Sequence, residues 1–92
     1  MTDVTDNRAE NEFELIVDGY RAIAAYQLED DVITFTHTFV PKKLEGRGIA
    51  SKLIRAALDS ARDRGLKVVS HCSFVTMFIE RHPEYQALLA QK

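Results

Sequence analysis

A chain of 92 residues makes one small domain, whose core can hide roughly 60–65% of the unfolded surface. With 46% hydrophobic and 28% charged residues, four glycines and two prolines, it is neither collagen-like nor mostly disordered. The net charge of −2 divides unevenly: residues 1–31 carry nine acids against two arginines, and residues 32–92 carry ten bases against five acids.

Such an excess of positive charge fits either an anionic partner or a solvated basic surface. Residues 1–11 are polar and acidic, without the basic start and apolar centre of a secretory signal. They are expected to be a flexible acidic leader ahead of a single domain spanning 12–92. Phe13 to Val17 is β-prone and Asp18-Gly19 is a strong two-residue hairpin signal. Tyr20 to Leu28 resumes as a strand, and Glu29-Asp30-Asp31 makes the next turn. Val32 to Val40 is the clearest strand, alternation placing Ile33, Phe35, His37 and Phe39 on one face.

The period then changes. Ala50, Leu53, Ile54, Ala57, Leu58 and Ala61 form the apolar stripe of a helix that Gly65 stops. Leu66 to Cys72 reads as a further strand, Phe74 to Glu80 as a helix, and Pro83 to Ala90 as a last short helix. The order β-β-β-α-β-α-α predicts an α+β fold, an antiparallel meander followed by a β-α-β crossover. No apolar stretch approaches the ~20 residues of a membrane helix, so no membrane partner is expected. One cysteine allows no internal disulfide and suits a reducing cytoplasm. The spacing of His37, His71, Cys72 and His82 fits no zinc pattern, so no metal is expected. The basic half lacks interleaved aromatics, which argues against a nucleic-acid surface.

Between strand and helix lies Leu44-Glu45-Gly46-Arg47-Gly48-Ile49-Ala50-Ser51-Lys52-Leu53. Its glycines expose backbone, and the free N–H groups of the following helical turn form an anion site suited to a pyrophosphate. The spacing is neither that of a dinucleotide fingerprint nor that of a P-loop, and an ordinary glycine-containing loop has the same outline.

Four segments occur in a familiar order: Thr36-His37-Thr38-Phe39-Val40-Pro41, Leu44 to Ala50, Leu66 to Val75, and Arg81-His82-Pro83-Glu84-Tyr85. Together they resemble the very small, single-domain, cysteine-containing members of the GNAT N-acetyltransferase superfamily, over about Phe13 to Leu88. The resemblance implies a truncated acyl-CoA N-acyltransferase fold that binds acetyl-CoA and acetylates an amine. In the family's loop, [Q/R]-x-x-G-x-[G/A], Gly48 and Ala50 match and Glu45 replaces Gln or Arg. By resemblance, the amides of Gly46, Arg47, Gly48, Ile49, Ala50 and Ser51 hold the pyrophosphate, and Glu45 belongs to the same cofactor-binding loop. Phe39 and Val40 offer backbone groups to the pantetheine arm.

Cys72, where the acyl group is expected by analogy, and His37, as base, are the catalytic candidates; each also reads as an ordinary core residue. Tyr85 is a further candidate proton donor to the leaving sulfur, and strand alternation turns His71 away from Cys72. An alternative to the enzyme is a CoA-binding module without efficient catalysis, acting as a sensor or partner protein.

Overall fold

The computed structural model describes residues 4–90. The chain runs β1 (Thr5–Asn7), β2 (Glu12–Val17), β3 (Tyr20–Glu29), β4 (Val32–Phe39), a 3-10 turn at Lys42–Leu44, then α1 (Ile49–Asp63). β5 (Lys67–Ser70), α2 (Ser73–Arg81) and a 3-10 segment at Pro83–Leu88 complete it. One sheet holds the strands in the order β1-β2-β3-β4-β5, antiparallel except for the parallel pair β4–β5. The α+β meander and crossover expected from the sequence are both present.

Local chemistry explains the elements. Asp18 and Gly19, both at positive φ (53° and 80°), close β2 and β3 with the two-residue turn that matches strand twist. At the end of α1, Gly65 takes φ 70°, and Leu66 N–H donates to Ala61 while Gly65 N–H donates to Arg62, satisfying the last carbonyls. The stripe Leu53, Ile54, Ala57, Leu58 and Ala61 buries against Phe13, Leu15, Ala22, Ala24, Tyr26, Ile33 and Phe35. Phe13, Tyr26 and Phe35 form an aromatic cluster with ring centroids 5.3–6.5 Å apart.

Three expectations are corrected. Residues 5–7, expected within a flexible leader, form edge strand β1, with Asp6 opposite Phe13. The Asp6 carboxylate accepts from the Tyr26 hydroxyl at 2.6 Å and from Arg64 at 3.4 Å. The polar composition that reads as a loose leader is a set of specific partners; residues 1–3 of that leader lie outside the described residues. The final helix is 3-10 and ends at Leu88, because Leu89 turns extended and pairs with Val68. Ala90 N–H donates to Val68 at 2.9 Å, so the chain end covers part of the outer edge of β5.

The third correction bears on the site. Tyr26 pairs with Phe35 but Ala25 pairs with His37, so Thr36 is an extra residue, a β-bulge in β4. Alternation therefore reverses. Ile33 and Phe35 are buried facing the helix side with Ala24, which pairs with Thr38. His37 and Phe39 lie on the opposite face, with Ala25 and Ile23.

Candidate active site at the parting of two strands

β4 and β5 stay paired from Val32–Lys67 to Phe35–Ser70, and one more bond, from His71 N–H to the Phe35 carbonyl at 2.9 Å, ends the ladder. Beyond it β4 continues to Phe39 while the other chain turns into α2. A cavity of about 590 Å³ fills the gap, lined by residues 36–40 on one side and 71–74 on the other. Its lining includes His37 and Phe39 from one face and Thr38 from the other, so the slot passes through the plane of the sheet.

An adjoining cavity of about 230 Å³ lies over the glycine turn, bordered by Gly46, Gly48, Ile49, Ala50 and Ser51, and the two share Val40, Glu45, Ala50 and Phe74. Gly48 is the N-cap of α1 at φ 72°, and Gly46 stands at φ 80°. Both need the left-handed region, where a side chain costs roughly 1 kcal/mol or more. A Cβ on either would meet no atom within 4 Å, so the space above the turn is open to a ligand. No side chain caps α1, its first turn carries no acid, and its first internal bond is Lys52 N–H to the Gly48 carbonyl. The amides of Ile49, Ala50 and Ser51 therefore lack helical acceptors at the positive end of the dipole. These donors and this open space fit a diphosphate.

Of the residues singled out in the loop, Ile49 is buried and anchors α1, and Arg47 is exposed, donating to Asp18 at 3.1 Å. Glu45 stands where the two cavities meet, bringing negative charge beside the glycine turn. Phe39 is 50% exposed and Val40 half-buried, both lining the slot.

Cys72 is the N-cap of α2, partly buried, with its sulfur 3.3 Å from the Thr38 hydroxyl. Burial pushes the thiol up, but hydrogen bonds from the Thr38 hydroxyl and the amides of Val75, Phe74 and Thr38 outweigh it and hold the thiol below its ordinary value. Cys72 and His37 border the same cavity from opposite walls. Thr38, not His37, faces the sulfur. His71, expected to turn away from Cys72, also lines the slot, because β5 ends at Ser70 and strand alternation stops there.

Tyr85 is not at the slot. It is buried, donates to Asp59 at 2.6 Å and accepts from Arg55 at 3.2 Å, packing the C-terminal segment on α1. His82 stacks on Phe78 with ring centroids 4.0 Å apart. Thr38 is not singled out by the sequence because only the bulge turns it toward Cys72; Ser73 and Phe74, which also line the slot, lie within the Leu66 to Val75 segment, where nothing local marks them as site residues.

A family model described as GCN5-related N-acetyl-transferase matches residues 12–88. Protein NATD1 of Mus musculus is 31% identical over 88 residues, covering 92% of this chain and 80% of its own length. NATD1 of Homo sapiens is likewise 31% identical, with 92% and 78% covered. The solution structure of a GCN5-like protein from Staphylococcus aureus superposes with a TM-score of 0.74 at 28% identity, over 98% of this chain and 89% of that one.

Proposed function

Because the chain belongs to the GCN5-related N-acetyltransferase family, we propose that it transfers an acetyl group from acetyl-CoA to an amine at the parting of β4 and β5. One juxtaposition carries this reading: the uncapped first turn of α1 and the Cys72 thiol open onto adjoining cavities. Acetyl-CoA supplies an acyl group already activated as a thioester.

The chain supplies position and proton handling. Amides of Ile49, Ala50 and Ser51, in a turn opened by Gly46 and Gly48, hold the diphosphate. Backbone groups of Phe39 and Val40 border the pantetheine route. Cys72 stands beside the acyl position, where its thiol polarises the carbonyl or protonates the departing sulfur. His37, on the slot's outer face, takes the proton that an ammonium acceptor must lose. The single free thiol suits the reducing cytoplasm.

A second reading, a CoA-binding module without efficient turnover, is favoured by two observations. The side-chain partner of Cys72 is a hydroxyl rather than an imidazole, and Tyr85 is tied to Asp59. Release of free thiol from acetyl-CoA across a panel of amines separates the two. Turnover that falls in Cys72→Ala and His37→Ala is expected. CoA that raises the melting temperature without turnover favours the module. A melting temperature flat across a wide CoA titration overturns both.

A further inference from the structure

We infer that Thr38 is a positioning residue that sets the protonation of Cys72, brought to the sulfur by the bulge at Thr36. This deepens the proposed function, since it matters to catalysis only if the slot holds the acyl group. The argument begins with the strand. Regular alternation would place residue 38 on the face opposite Ile33 and Phe35 and give the inner face to residue 37. The extra residue at Thr36 reverses this, so the inner wall of the slot receives a hydroxyl and the imidazole goes to the outer face. Thr36 also donates its own hydroxyl to the Ala25 carbonyl at 3.4 Å, across the bulge.

The other side of the contact is equally fixed. The Cys72 carbonyl accepts from Ser70 Oγ at 2.9 Å and from the Thr76 amide at 3.0 Å, and the Ser70 and Thr76 hydroxyls lie 2.8 Å apart. The peptide that carries the sulfur is therefore held from below, and Oγ1 of Thr38 meets the sulfur at 3.3 Å inside the cavity. A hydroxyl suits both forms of the thiol. Facing a neutral S–H it can accept, and facing a thiolate it donates, with the stronger charge-assisted bond going to the thiolate. Removing it shifts the balance toward the protonated thiol without touching the loop that binds the nucleotide.

The test is the pH dependence of iodoacetamide alkylation of the full chain, without CoA; the single cysteine makes the signal unambiguous. The native midpoint is expected below that of the urea-unfolded chain, and equal midpoints overturn the inference. Thr38→Val, nearly isosteric, is expected to raise the midpoint by about half a unit, slowing alkylation at neutral pH about threefold. Thr38→Ala is expected to act alike should the valine disturb packing, and Thr38→Ser to restore the native profile. A Thr38→Val profile identical to the native one, or no rescue by serine, overturns the assignment. Acetyl transfer is measured separately: a shifted profile with no transfer to any amine defeats the proposed activity and leaves the Thr38 assignment standing.

Discussion

Arg47, in the glycine turn, donates to the carboxylate of Asp18 at 3.1 Å, tying that turn to the tip of the β2–β3 hairpin. Both side chains are exposed, so the pair itself adds at most about 1 kcal/mol to stability. Its consequence is electrostatic, because Asp18 competes with any diphosphate for the guanidinium.

Asp18→Asn is therefore expected to tighten CoA binding by about two- to fivefold at low salt. Asparagine tolerates the φ of 53° there, so the hairpin turn is preserved. Arg47→Ala is expected to weaken binding about tenfold, and Asp18→Asn to have no effect on that background. Calorimetric titration of the four proteins reads the coupling; additive changes would mean that the two residues do not compete.

Gly48 and Gly65 form an internal control for the loop. Both stand at positive φ, 72° and 70°, and a Cβ on either meets no atom within 4 Å. Alanine at each is expected to cost about 1 kcal/mol of stability through backbone strain alone. Only Gly48→Ala adds a methyl group to the turn that borders the smaller cavity, so only it is expected to lower CoA affinity tenfold or more. Equal affinities for the two variants in the same titration would remove the diphosphate from this turn.

Glu45 sets a third expectation. A carboxylate at the mouth shared by the two cavities repels a diphosphate across solvent. Glu45→Gln keeps the shape and is expected to tighten CoA about two- to fivefold at low ionic strength, with the gain fading in salt. Weaker binding in the variant would show Glu45 contributing a contact rather than repulsion.

The glycine loop was legible because its signal is local: left-handed glycines beside an apolar stripe of helical period announce an uncapped helix start. The meander was legible for the same reason, since Asp18-Gly19 and the β-branched run from Val32 carry their own geometry. The pairing of His37 with the wrong face came from non-local structure. Whether Thr36 is an extra residue depends on how Ala25 and Tyr26 register against β4, which no residue in β4 announces. Strand β1 was hidden likewise, for Asp6 and Asn7 are poor strand formers, and Asp6 is held by partners as distant as Tyr26 and Arg64.

That last dependence yields a stability prediction. Burial, and then the Asp6 carboxylate beside it, push the Tyr26 hydroxyl up to about 12. The neutral phenol is thus favoured in the fold relative to the unfolded chain, where it titrates near 10. A group whose proton is held more tightly when folded contributes fully below the unfolded value, and that contribution is lost as pH rises through the folded one. Stability at neutral pH should therefore include the bond to Asp6, and Tyr26→Phe should cost about 1–2 kcal/mol in urea unfolding. Between about pH 10 and 12 the native chain should lose stability more steeply than Tyr26→Phe, so that the two curves converge. Because the bond anchors β1, the loss should be accompanied by faster amide exchange of the β1–β2 pairs around Asp6 and Phe13. Parallel curves across that pH range would mean that the contact between Tyr26 and Asp6 does not hold the edge strand in solution.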